Sequence, residues 1–222
     1  MLAVWIVLAF GVIAIAIPYV VIKHMSVGVR RSAARHDGAI GLSFDDGPDP
    51  IATPRVLDIL ARANVRATFF VLGDAADAHP ELLERIRAEG HELASHGYRH
   101  HHALFQRWPL VGFFDVRRAL RRLGTVRFYR GPHGAYSWAT LAAAWSAHVQ
   151  PVNWTVEAHD WHPAFTPDDV VAKVLAEASS GGVIVMHDGG RGAARVVHAL
   201  EPVLAGLAAR ELRAVPLREL FP

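Results

Sequence analysis

Residues 41–50 read GLSFDDGPDP. An apolar run ends in two adjacent aspartates, and a Gly-Pro turn follows at once. The run is short and free of charge, as expected of a strand buried on both faces. Asp, Gly and Pro punctuate a turn, but one aspartate would serve that purpose. Two like charges side by side are therefore either a heavily charged turn or a place where chemistry is done.

The same arrangement recurs on moving outward. Thr53-Pro54 reads as an N-cap and first-turn pair that opens a helix running to about residue 63. VRATFFVLG, residues 65–73, is the next strand, closed by Gly73. Pro80 opens a helix carrying Leu82, Leu83 and Ile86, and Gly90 ends it. HELASH (91–96) is a short strand, followed by a histidine-rich loop and a helix from about Gly112 to Leu123 with a basic face. TVRFYR (125–130) reads as a strand, SWATLAAAWSAH (137–148) as a helix, and VQPVNWTV (149–156) as a strand. Thr166-Pro167, with Asp169 three residues after the cap, resembles a capping box. VIVMH (183–187) is a buried strand, residues 191–209 form the last long helix, and LRAVPL (212–217) is a final strand. Alternation of this kind predicts a parallel sheet. There is no glycine-rich nucleotide fingerprint. The expected class is α/β: a distorted (β/α) barrel with about seven parallel strands over residues 39–222.

The first 22 residues, MLAVWIVLAFGVIAIAIPYVVI, contain no charged side chain. A helix of that length covers roughly 30 Å, the thickness of a bilayer core. The run is longer than the apolar region of a signal peptide and no basic side chain precedes it. Residues 1–22 are thus expected to be a single-pass transmembrane anchor or an uncleaved signal, and residues 23–38 a basic linker. Lys23, Arg30, Arg31 and Arg35 follow the span, which by the positive-inside rule favours a cytoplasmic domain.

Composition narrows the function. Hydrophobic residues make up 52% of the 222, enough for a substantial core, and the net charge of +2 gives no argument for a nucleic-acid partner. The absence of cysteine excludes disulfides and thiolate chemistry. Fourteen histidines is a high count, and histidine is the commonest metal ligand.

Polar clusters fall where strands end: Asp45-Asp46, His96 with His100, Arg130, Asp160-Trp161, and His187-Asp188. In a βα-barrel those ends share one face, where active sites are built. His96 and His100, at i and i+4, would share a helix face and could grip one metal. Each cluster alone has a plainer reading. Asp-Gly-Pro is ordinary turn chemistry, the histidines can belong to an exposed loop, Arg130 can be a structural ion-pair partner, and His187 a satisfied core residue.

In order, the chain shows SFDDGP, HGYRH, RGPHG, EAHDW and MHD. From about Ala39 to the C-terminus it resembles the polysaccharide deacetylases, carbohydrate esterase family four. The resemblance implies a distorted barrel with fewer than eight strands, a divalent metal (commonly zinc), and hydrolysis of an N-acyl group from an amino sugar. Asp46, His96 and His100 would be the metal ligands and Asp45 the general base, paired with Arg130. His187 would be the general acid, held and kept protonated by Asp160. Trp161 and Met186 would shape the acyl pocket, and the backbone N–H of His133 would bind the oxyanion. A metal site would also make two adjacent carboxylates tolerable. Three positions depart from the family pattern: Gly97 replaces Ser or Thr, His133 replaces Tyr, and Glu157 replaces Asp.

The resemblance implies an N-acylated amino-sugar glycan as partner, such as peptidoglycan or chitin-like chains, and an extracytoplasmic domain. That placement opposes the positive-inside reading. A deacylase or deformylase of a lipid-linked amino sugar, and a noncatalytic membrane-tethered glycan-binding protein, are the alternatives.

Overall fold

The computed structural model describes residues 28–35, 37–101 and 108–222. The expected anchor at residues 1–22 lies outside them, and so does part of the expected linker. No helix among the described residues is long and apolar enough to cross a membrane.

Eight strands are described: β1 (Ala39–Asp45), β2 (Thr68–Val71), β3 (Glu92–Ser95), β4 (Phe128–Tyr129), β5 (Gln150–Pro151), β6 (Val156–Glu157), β7 (Val183–His187) and β8 (Arg213–Val215). All pair in parallel. The helices are α1 (Ala52–Arg62), α2 (Gly73–Ala78), α3 (Pro80–Ala88), α4 (Pro109–Leu123), α5 (Trp138–Trp145), α6 (Pro167–Glu177), α7 (Ala193–Ala209) and α8 (Leu217–Leu220).

The strand path runs β5-β4-β3-β2-β1-β7-β6, and the short β8 pairs with the first half of β1. Among the described residues no ladder joins β5 to β6, so the sheet curls into an open barrel. Seven strands on the path match the expected number. β1 sits at the centre, paired with β7 on one side and with β8 and then β2 on the other. All seven of its residues are buried, which explains a run with no polar alternation. The main core lies between sheet and helices. Phe44, Leu42, Phe69, Ile184 and Met186 there meet Leu57, Leu60, Leu83, Ile86 and Leu200.

Several local expectations change. Thr53 is not an N-cap: it lies inside α1, which starts after Ile51. The Asp49 carboxylate instead accepts from the N–H groups of Ile51 and Ala52. The Thr53 hydroxyl accepts from Asp49 N–H and donates to Asp188. Gly73 opens α2 rather than merely closing a strand. TVRFYR and VQPVNWTV contribute only two-residue ladders, β4, β5 and β6. Thr166 and Asp169 do form a capping box at α6.

Residues 28–35, expected to be linker, pack onto the sheet. Arg30 forms a parallel bridge with Val152, just beyond β5. Val29 is buried, and Ala33 N–H donates to the carbonyl of Gly181, ahead of β7.

Candidate active site

Parallel strands deliver their C-terminal ends to one face, and the polar clusters meet there. A cavity of about 970 Å³ is lined by Asp45, Asp46, His96, His100, His133, Asn153, Trp154, Glu157, Trp161 and His187, with Arg31 and Arg191 at its wall. Asp45 is the last residue of β1. Asp46 then turns sharply with φ +72, a left-handed conformation that Asp tolerates better than most residues. The two carboxylates consequently have different neighbours.

Asp45 is paired inward. Its Oδ1 accepts from Arg130 at 2.6 Å. Arg130 is fully buried; it also donates to Ser43 Oγ (2.9 Å) and to the Val152 carbonyl (3.3 Å), with its guanidinium 3.9 Å from the Phe70 ring centroid. A planar fork held at three acceptors and one ring fixes the carboxylate it meets.

Asp46 faces the histidines. Its Oδ1 lies 3.3 Å from His96 Nε2 and 3.3 Å from His100 Nε2. That oxygen is buried and has no hydrogen-bond partner, so the two close approaches are not hydrogen bonds. Burial alone would raise the Asp46 pKa, but His96 above all, with His100 and His187, holds it below the usual carboxylate range. Burial lowers the His100 pKa and so favours the neutral ring, the form that binds a metal. The donor atoms of Asp46, His96 and His100 lie within 4.8 Å of one another. Ligands of a tetrahedral ion with bonds of about 2.0–2.1 Å stand roughly 3.4 Å apart. One orphaned carboxylate oxygen facing two imidazole nitrogens at that spacing fits a divalent cation.

The two histidines do not share a helix as expected. His96 follows β3 directly, and Gly97 at φ +89 turns the chain. A Cβ at Gly97 would stand 2.8 Å from Asp115 Oδ2, which together with Oδ1 receives the N–H groups of Tyr98 and Arg99. Glycine here lets the Asp115 carboxylate brace the His100 loop, which accounts for the missing Ser or Thr.

His187 ends β7 on the same face. Its Nδ1 is 2.7 Å from Asp160 Oδ1, and its backbone N–H donates to Asp160 Oδ2 at 2.7 Å. Burial would lower the His187 pKa, but the Asp160 charge and hydrogen bond outweigh it, with Asp45 and Asp46 adding to the effect. The result is pushed up to about 9. Asp160 is itself fully buried. Gly192 admits this pair, since a Cβ there would stand 2.7 Å from the His187 Cβ and 3.0 Å from Asp160 Oδ2.

This arrangement is that of a known family. A family model described as polysaccharide deacetylase matches residues 32–152, more than half of the chain. The chain belongs to the polysaccharide deacetylase family. It is accordingly a hydrolase that acts on amide bonds of polysaccharides. It is similar to a chitooligosaccharide deacetylase of Sinorhizobium fredii, 39% identical over 157 residues, 68% of this chain and 72% of the relative. A peptidoglycan-N-acetylglucosamine deacetylase of Bacillus cereus is 31% identical over 188 residues, 82% of this chain and 87% of that one. Among solved structures, a peptidoglycan N-acetylglucosamine deacetylase superposes with a TM-score of 0.76 at 28% identity, covering 91% of this chain and 97% of the other.

The structure brings nine of the ten expected site residues around one cavity. Arg130 and Asp160 stand behind its wall, and the other seven line it. Met186 is the exception: it is fully buried in the main core and does not line the cavity. Neighbours on a strand point to opposite faces, so a His187 that reaches the cavity sends Met186 the other way. Trp161 is exposed at the rim and donates from Nε1 to Glu157 Oε1 at 3.0 Å. A glutamate reaches that indole where a shorter aspartate would not, which gives Glu157 a local reason. The His133 ring stands edge-on to the His100 ring, 4.5 Å between centroids. Arg31, Asn153, Trp154 and Arg191 were not among the expected site residues. Asn153 and Trp154 fell in VQPVNWTV, a run read only as a strand, and Arg31 sat in a stretch read as linker.

Proposed function

We propose that this chain removes the N-acetyl group from amino sugars of a glycan such as peptidoglycan or chitin-like oligomers, with zinc held by Asp46, His96 and His100. The observation that carries this reading is the pairing of two titratable groups across one metal-ligand cluster. Asp45 is steered by Arg130, and His187 is steered by Asp160. A bound divalent cation supplies a Lewis acid for the acyl carbonyl and lowers the pKa of water at that position. Asp45 takes the proton of the attacking water, with Arg130 fixing the carboxylate that receives it. The backbone N–H of His133 steadies negative charge on the carbonyl oxygen. His187, protonated because of Asp160, gives its proton to the departing amine nitrogen. Acid and base are thus held by opposite partners: a cation beside Asp45 and an anion beside His187.

The printed names of the relatives support the glycan class, and the complete set of ligands, acid and base argues against a noncatalytic binder. The test is acetate release by the full chain from N-acetylglucosamine oligomers, with a lipid-linked formamido sugar assayed beside them. Activity that a chelator abolishes and zinc restores is the expected result. Undiminished turnover by metal-free Asp46→Ala protein overturns the mechanism. Turnover confined to the lipid-linked sugar overturns the glycan assignment and leaves the mechanism standing.

A further inference from the structure

Apolar exposure on this domain is concentrated in one region. Of the eight large hydrophobic side chains exposed among the described residues, six belong to α4, its N-cap and α5: Trp108, Leu110, Val111, Phe114, Trp138 and Trp145. These helices pack against each other. On α4, Leu110, Phe114, Arg117 and Arg121 recur at helical spacing and form one outward stripe, apolar in its first half and basic in its second. On α5, Trp138, Ala142 and Trp145 form the outward stripe, and the helix WATLAAAW contains no charged residue. The one carboxylate on either helix, Asp115, is turned to the Tyr98 and Arg99 backbone. Arg117 and Arg121 form no salt bridge among the described residues, whereas Arg122 is held by Asp77.

The chain enters the domain at this surface. Gly28 lies against the Trp145 ring, which a Cβ at that position would overlap, and its carbonyl accepts from Gln150. The 22 uncharged residues at the start of the sequence come just before this point.

We propose that the outward faces of α4 and α5 rest on an anionic lipid bilayer. Tryptophans and short apolar side chains suit the headgroup boundary, and unpaired arginines beside them suit anionic headgroups. The N-terminal stretch is a poor cover for this face. Its 22 residues carry no charged side chain, so covering the patch would still leave much of their own apolar surface in water. A second copy is also disfavoured, because it would bring arginines to arginines with no exposed carboxylate on either helix to separate them. Helices flank the strands in a βα unit, so a bilayer against α4 and α5 runs alongside the barrel. The cavity then opens along the membrane surface rather than into it.

The lack of cysteine makes site-specific labelling direct. Leu110→Cys and Ala142→Cys place a nitroxide on the two stripes, and Glu201→Cys on the exposed side of α7 is the distant control. Each is made in the full chain and reconstituted in vesicles of phosphatidylcholine and phosphatidylglycerol. Labels at 110 and 142 lose most of their collisions with an aqueous nickel chelate and gain collisions with oxygen, while the label at 201 does neither. Replacing Arg117 and Arg121 with Glu lowers the docked-to-undocked ratio by at least roughly thirtyfold, about fivefold for each arginine lost from an anionic surface. Equal nickel accessibility at all three positions on vesicles, or no association of the full chain with vesicles, overturns the proposal. Shielding that persists in lipid-free detergent also overturns it. If that shielding rises with protein concentration the cover is a second copy; if not, it is the chain's own N-terminal stretch.

Discussion

Replacing Asp160 with Asn tests the acid assignment most directly. In the intact protein His187 is raised from 6.5 to about 9, about 3 kcal/mol in favour of the imidazolium. Burial works against this shift, and the Asp160 charge with its hydrogen bond overcomes it. The His187 side chain is only 16% exposed, so solvent does little to screen the pair. Asn at 160 keeps the shape and removes the charge. Burial is then opposed only by the charges of Asp45 and Asp46, and the His187 pKa falls back toward its ordinary 6.5. A group raised to about 9 stays protonated below that pH; at 6.5 it is protonated in only about a quarter of molecules at pH 7. The alkaline limb of the kcat profile therefore moves toward acid, by up to about 2.5 units where the whole shift is lost. At pH 7 kcat drops by up to about fourfold from protonation alone, and it recovers as the pH is lowered toward 5. The assay is acetate release against pH with the metal held constant. An alkaline limb that does not move in Asp160→Asn refutes the reasoning, because His187 would then not be the acid that Asp160 supports.

Three further outcomes follow from the same geometry. Arg130→Lys loses most activity, because a point charge cannot meet Asp45, Ser43 and the Val152 carbonyl together. Arg130→Met strands a buried carboxylate and costs roughly 3–5 kcal/mol in urea unfolding, while loss no greater in Arg130→Met than in an exposed Arg62→Met control contradicts the pairing. Gly131→Ala places a Cβ 2.0 Å from the Ala135 carbonyl oxygen, so it lowers stability by roughly 1–3 kcal/mol and disturbs both Arg130 and His133; calorimetry and acetate release read the two effects. Burial raises Asp188 to about 7, so in metal-free protein its contribution to stability is full below the unfolded aspartate value and is lost as the pH climbs through 7. Thermal midpoints at pH 5 and pH 8 show this loss in the wild type, and Asp188→Asn flattens it.

The long, fully buried strands were legible because burial on both faces leaves an apolar run: β1 and β7 announce themselves. The capping box at Thr166 was legible because it is purely local. The curvature of the barrel was not. β4, β5 and β6 pair over two residues each, too few to impose a pattern on TVRFYR or VQPVNWTV, both of which carry polar interruptions. Thr53 misled for a related reason: its hydroxyl serves a tertiary partner, Asp188, while Asp49 caps the helix from a position nearer the turn. The motif histidines fell at the right positions but on the wrong local structure, since Asp115 braces their loop from a helix, sixteen and seventeen residues beyond the two N–H groups it holds. Met186 was assigned to the acyl pocket by the family resemblance, but on β7 it alternates with His187 and faces the main core instead. Arg31 could not be found at all, because its role depends on a short backbone bridge that leaves no trace in composition.

That bridge bears on how the protein can be trimmed. Cutting the chain at Gly38 to remove the apolar N-terminal stretch would discard Arg30 and Arg31 with it. The β5 side of the barrel would lose its last hydrogen-bonded neighbour, and bare strand edges invite pairing between molecules. The cavity would also lose Arg31 from its wall. A shortened enzyme that begins near residue 28 keeps both, so residues 28–35, which the sequence alone reads as linker, belong to the folded domain.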